Sequence, residues 1–293
     1  MDRFLEYFFL GLSTGAIYAS LALAIVILTK PMRHPNVAQG QMAMFSTYIA
    51  WVLINAGLPY WFAFLATLVI SFFIGMIIER IIFRPLEQAS IPNQFILLIG
   101  LFLFLRGTAG WIFGYDTRAF PAAFPSNVPF LTSHYISANQ ALILGIVTLL
   151  LISTGLFFKF TKLGLALRAI AQNPLSSTLV GINISAMLML SWGISAAIGA
   201  ISGMLIAPTI FLDPPMMDGV FIYAISGSIL GGITSPVGVV VGGIMIGLIN
   251  AILINYLNLI NGELDTTATL FIMIAIILFK PTGLFTKKIT IRV

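Results

Sequence analysis

Asn36, Gln39 and Gln41 stand together at the edge of an apolar run, with Gly40 between the two glutamines. Amide side chains are costly in hydrocarbon, so they must face protein or a water-filled cavity. Two readings compete: these residues cap the helix that continues through 42–54, or they form a broken segment that lines a solute pathway. Ser13, Thr14 and Tyr18 make a second polar group in the first apolar run, beside Gly11 and Gly15. Ordinary helix packing through the Gly11–Gly15 pair accounts for that group, and a polar pathway is the alternative. Arg106 lies inside a later run, where a charge is expensive unless it is paired or snorkels. No acid lies one helical turn away, so its partner must come from another helix or from backbone carbonyls.

Bond-making chemistry is harder to find. GxxxxGK[ST], HExxH and GxSxG are all absent, and the two histidines, His34 and His134, stand far apart. Cysteine is missing, which excludes disulfides and thiolate sites. All nine acids lie at loops or termini, so no paired carboxylates sit inside an apolar run. The intramembrane acid of many ion-coupled carriers is therefore lacking, although an unwound helix around Pro236 stays open as a pathway element. The expected activity is passage of a solute powered from outside the chain, with no catalytic residue, no metal and no cofactor of its own.

Such residues need a scaffold, and composition names its class. Hydrophobic residues make up 59% of the chain and charged residues 8%, with a mean hydropathy of +1.07. Soluble domains carry roughly 25% charged residues. Apolar runs of about 20 residues match the hydrocarbon thickness, and their lack of strict alternation argues against a β-barrel. The expected fold is all-α, a polytopic transmembrane bundle in one domain over residues 1–293. It has about eight to nine membrane segments, including short or broken helices. Runs at 7–29, 42–54, 59–78, 93–114, 141–158, 186–206, 220–233, 237–254 and 266–279 supply them. The 220–233 run is short, half of a discontinuous helix pair.

Net charge is +5, and the bases cluster in short loops and at the C-terminus, the pattern of cytoplasmic loops facing anionic lipid. Nucleic-acid binding has no support, because no basic cluster is interleaved with aromatics. Parity of the basic loops puts the N-terminus outside. Asp213, Asp218, Glu263 and Asp265 then fall in outer loops, and Glu79 pairs with a neighbouring arginine. Residues 160–183, FTKLGLALRAIAQNPLSSTLVGIN, are too polar to span and are patterned like a short helix that ends at a glycine. A helix at the membrane surface can seat in a groove of a soluble partner, or lie in the lipid interface.

Six blocks carry a family resemblance: GLSTGAIYASLALA at 11–24, NVAQGQMAM at 36–44, ERIIFRPL at 79–86, LGLALRAIAQNP with LVGIN within 163–183, GGITSPVGVVVGG at 231–243, and FKPTGLF at 279–285. In this order and spacing, over the whole length, the chain resembles the LivH-type permease subunit of branched-chain amino acid ABC importers. The resemblance implies an inner-membrane subunit that moves branched-chain or other small amino acids by alternating access; urea or short amides are the alternative solutes. A self-sufficient carrier or channel is the alternative class. Implied partners are ABC ATPase subunits that consume the ATP, an extracytoplasmic solute-binding protein, and a second permease subunit or a second copy. The positions matching the family's ATPase-docking loop are Gly164, Arg168, Ala169, Asn173, Pro174 and Gly181, on a helical face of mostly small residues. Two departures stand out. The family commonly has His and Glu where this chain has Gln39 and Gln41, and an acid often follows the Asn-Pro pair where Leu175 and Ser176 stand here.

Overall fold

Helices that are apolar on every side must be buried in lipid or in a large core, and this chain folds almost wholly into such helices. The computed structural model describes residues 2–32, 34–87, 89–124, 136–233, 235–252, 265–279 and 283–285. Among them run α1 (Asp2–Met32), α2 (Gln39–Asn55), α3 (Tyr60–Ile78), α4 (Ile91–Phe113), α5 (Ala138–Phe160), α6 (Lys162–Gln172), α7 (Pro174–Leu179), α8 (Ile184–Ile210), α9 (Met217–Gly231), α10 (Pro236–Asn250) and α11 (Asp265–Phe279). Helices α1, α3, α4, α5 and α8 are long and apolar enough to cross a membrane, while α9 and α10 are shorter apolar helices. With α2 and α11, each of the nine expected apolar runs contains a helix among the described residues. Expectations about Arg33, His134, Thr234, Glu263, Lys280 and the basic C-terminus lie outside the described residues.

Helix α1 is the hub. It packs against α10, α8, α9 and α5, and residues 15–29 are buried without a break. Its closest neighbour is α10, through glycines on both sides. A Cβ on Gly15 would come within 2.8 Å of the Ile244 carbonyl, and one on Gly247 would collide with the Gly15 backbone. The Gly11–Gly15 pair thus does what a GxxxG pattern does, letting two backbones touch. Helices α9 and α10 form a tight antiparallel pair, again through backbone: Gly227 faces Gly243, and Gly231 faces the Gly238 carbonyl. This is the broken helix pair expected around Pro236, which opens α10 at its first turn under a Ser235 cap.

The segment 283–285 returns to this pair. The Leu284 N–H donates to the Leu230 carbonyl at 2.8 Å, and the Phe285 N–H to the Gly231 carbonyl at 3.2 Å. Both carbonyls lie in the last turn of α9, where no intrahelical donor remains. The FKPTGLF block therefore ends as a cap on a helix far upstream.

At the basic end of the bundle, α3 continues through a π-type turn over Glu79–Phe83 and a 3-10 turn over Arg84–Leu86. Glu79 is fully buried and ion-paired with Arg84 at 2.9 Å. Arg84 also reaches the Ser185 carbonyl at 3.4 Å, joining this corner to the start of α8. At the opposite end, Arg118 and Leu212 exchange backbone hydrogen bonds of 2.9 and 2.8 Å, and the Arg118 guanidinium lies 4.6 Å from the Trp51 ring centre.

Candidate functional site

The amides of the NVAQGQ block are buried inside the bundle. Asn36 accepts from the Ala38 N–H at 3.0 Å, fixing the turn that enters α2. Neither glutamine caps that helix: its N-cap is Ala38, with no side-chain cap bond. Gln39 instead donates to the Ser195 carbonyl and accepts from the Ser195 hydroxyl, both at 3.0 Å. The same hydroxyl lies 2.8 Å from the Ala24 carbonyl, so one amide ties α2 to α8 and α1. Space for it comes from Gly199, where a Cβ would stand 2.7 Å from the Gln39 amide nitrogen.

Gln41 turns the other way. Its Nε2 donates to Asp218 Oδ1 at 2.8 Å, and Arg106 Nη1 meets Asp218 Oδ2 at 2.7 Å. The partner that Arg106 requires is therefore a carboxylate on another helix. This corrects the placement of Asp218 in an outer loop: it sits in the first turn of α9, where a carboxylate is also favoured by the helix dipole. The three residues join α2, α4 and α9. Asp213, four residues before α9, stays in the loop. Burial raises its carboxyl above the ordinary range, and Asp218 adds to the rise, while a backbone hydrogen bond from Met216 and the charge of Arg106 oppose it.

With Gln41 facing a carboxylate, its neutrality has a consequence. Gln41→Glu would replace the donor at 2.8 Å by a second acid beside Asp218. We expect a lower unfolding temperature in detergent for Gln41→Glu, and one close to wild type for Gln41→Asn.

The first-run residues are drawn elsewhere. Ser13 and Thr14 bond back to the Leu10 carbonyl of their own helix, at 2.9 and 3.0 Å. The Tyr18 ring lies 4.9 Å from that of Tyr223. Pro236 and Arg168 line one cavity between α1, α5, α6, α8 and α10. Ser13, Thr14, Tyr18, Asn36, Gln39 and Gln41 do not line it.

The 160–183 stretch is two helices rather than one. Thr161 caps α6 by accepting from the Gly164 N–H at 2.9 Å, and Gly164, Leu167 and Ile170 form its buried face. A side chain on Gly164 would strike the Phe157 carbonyl, so the glycine lets α6 fold back on α5. Asn173 breaks the helix and caps α7, accepting from the Ser176 N–H at 3.1 Å. Pro174 takes the first position of α7, where its missing N–H costs nothing. Gly181 follows α7 with a φ of +84°, a conformation that suits glycine. Ala169 is half-buried and Arg168 exposed. The matching positions thus mostly shape the hairpin. Its outward side carries Leu165, Leu175, Leu179 and Val180, exposed by 60, 79, 88 and 76%. That corrects the expectation of a surface of mostly small residues.

Gln94 was legible only as a polar residue near the start of an apolar run. Its Oε1 pairs with His34 Nε2 at 2.6 Å, and its amide nitrogen faces the Glu87 and Ala89 carbonyls at 2.8 and 3.1 Å. It organises the basic corner before α4.

Polar side chains are thus clamped between the helices of an apolar bundle, with a two-helix projection at the basic end. The chain belongs to the family described as branched-chain amino acid transport system / permease component, whose model matches residues 7–280. It is 27% identical over 305 residues to the high-affinity branched-chain amino acid transport system permease protein LivH of Escherichia coli strain K12, covering 96% of this chain and 95% of that one. It is 27% identical over 296 residues to the corresponding protein BraD of Pseudomonas aeruginosa, with the same coverage. PsaBC from Streptococcus pneumoniae in complex with Fab aligns with 96% of this chain and 91% of that one, at 12% identity and a TM-score of 0.47, too low to bear on the fold. The protein is a permease subunit of an ABC importer in the inner membrane. Permease components of this kind work with ATPase and binding-protein subunits.

Proposed function

We propose that this subunit carries branched-chain or other small amino acids, delivered by an extracytoplasmic binding protein, by alternating access. In this reading the chain changes no bond, binds no cofactor and draws its energy from ATP consumed by partner subunits. The names of its relatives support the solute class, and the lack of any phosphate-binding loop supports the division of labour. A second permease subunit or a second copy completes the pathway. In this reading Ser13, Thr14, Tyr18, Asn36, Gln39, Gln41 and Pro236 belong to the solute pathway and its supporting helices.

The observation that carries the coupling role is the α6–α7 hairpin. Its inner face is held on α5 and α8, yet its outer face presents Leu165, Leu175, Leu179 and Val180 exposed among the described residues. Bulky apolar side chains on a short helix suit a groove in a soluble protein, so we assign this surface to the cytoplasmic ATPase. Arg168 and Ala169 flank it, and Gly164, Asn173, Pro174 and Gly181 set its shape. Leu179→Asp should abolish co-purification of the ATPase while leaving the membrane-inserted yield unchanged, since the side chain is 88% exposed. Normal ATPase recovery with Leu175→Asp/Leu179→Asp would refute the assignment.

A further inference from the structure

The cavity between α1, α5, α6, α8 and α10 has a volume of about 1040 Å³. Its wall is apolar, with Leu23 and Ile27 from α1, Leu151 from α5 and Val240 from α10. Its basic end holds three cations from three elements: Lys30 at the end of α1, Lys159 at the end of α5, and Arg168 on α6. Among the described residues, no acid lines it. The ion pairs among the described residues, Glu79–Arg84 and Arg106–Asp218, lie elsewhere. Among the described residues, helices α5 and α10 have no extensive packed interface, and Val237, which lines the cavity from α10, is 72% exposed.

We propose that this cavity binds an anionic phospholipid of the cytoplasmic leaflet, entering between α5 and α10. Cations from three elements at its basic end, the Lys159 ammonium also lying 5.1 Å from the Phe160 ring centre, suit a phosphate. A zwitterionic amino acid would bring an ammonium group to a site that offers it only positive charge. The apolar wall gives an acyl chain a surface to lie along, and basic pockets between membrane helices at this depth are known to suit anionic headgroups. The volume reaches the upper end of small-molecule pockets, roughly 300–1000 Å³, which is ample for a headgroup and part of a chain. A lipid held there bridges α6 to α1 and α5, placing it against the hairpin assigned to the ATPase. The site itself rests on membrane embedding and does not depend on which solute is carried.

The test uses the full chain in phosphatidylcholine nanodiscs, titrated with phosphatidylglycerol and read by native mass spectrometry after release. Wild type should retain phosphatidylglycerol in preference to phosphatidylcholine. Lys30→Gln/Lys159→Gln should bind it roughly thirtyfold more weakly, the equivalent of about 1 kcal/mol for each cation. Lys30→Arg/Lys159→Arg should bind like wild type, which separates charge from folding. Inorganic phosphate should compete poorly, because it lacks the chain. Equal retention by wild type and the Gln variant overturns the proposal, as does equal retention of the two lipids. Full displacement by phosphate alone overturns the lipid as occupant.

Discussion

Asp218→Leu should destabilise the folded protein by about 2 kcal/mol, within the range for hydrogen bonds to charged groups, and should abolish transport. The loss has two parts. Arg106 keeps its charge and loses the carboxylate at 2.7 Å, and the Gln41 amide loses its acceptor at 2.8 Å. The cost stays below that of a fully buried ion pair because about a third of each charged side chain remains open, 34% for Arg106 and 36% for Asp218. Snorkelling can recover some of the arginine's cost. The decisive measurement is a double-mutant cycle by thermal unfolding in detergent. Arg106→Leu/Asp218→Leu removes both charges and should recover most of the stability lost by Asp218→Leu alone. It should not recover transport if the pair helps α9 move against α4. If the two single variants simply add in the double, the residues do not interact and the cluster is incidental.

Gly247→Leu should have a somewhat larger effect by a different route. Overpacking usually costs about 1–3 kcal/mol because side chains and backbone can shift. Here the new Cβ collides with the Gly15 backbone, and the Gly11 carbonyl stands 2.7 Å away. Backbone atoms of a helix cannot rotate aside, so α1 and α10 must separate, and every contact along their seam weakens together. We expect about 3 kcal/mol or more, seen as loss of membrane-inserted protein and of a defined unfolding transition. Gly145→Leu is the control. Gly145 is exposed on α5 and its Cβ would meet nothing within 4 Å, so that variant should accumulate normally.

Sequence and structure agree where the signal is local. The apolar runs, the Gly11–Gly15 contact and the short α9–α10 pair all follow from residue spacing. The interhelical partners do not. Gln39 meets Ser195 across 156 residues and Arg106 meets Asp218 across 112. The cost of a charge in hydrocarbon tells that Arg106 has a partner, and nothing in the spacing tells which. Asp218 reads as a loop acid because two prolines and two methionines precede it, and only the fold shows that α9 begins at Met217 within the bundle. The 160–183 stretch went astray for another reason. Its small residues and its Asn-Pro pair are the features a family motif makes visible, but they act in the turns and the buried face. The exposed leucines that give the hairpin its surface lie between them, and only burial distinguishes the two sets.

The cap that 283–285 places on α9 also sets an order of events during synthesis. Helix α9 enters the membrane with the Leu230 and Gly231 carbonyls still open, and the segment that satisfies them is translated only after α10 and α11. Until then the α9–α10 pair must be sheltered by the insertion machinery or by neighbouring helices. Chains ending just before Gly283 and full-length chains, each joined to an arrest segment long enough to clear the ribosomal tunnel, should therefore differ: the shorter shows a protease-sensitive α9–α10 turn and the longer does not.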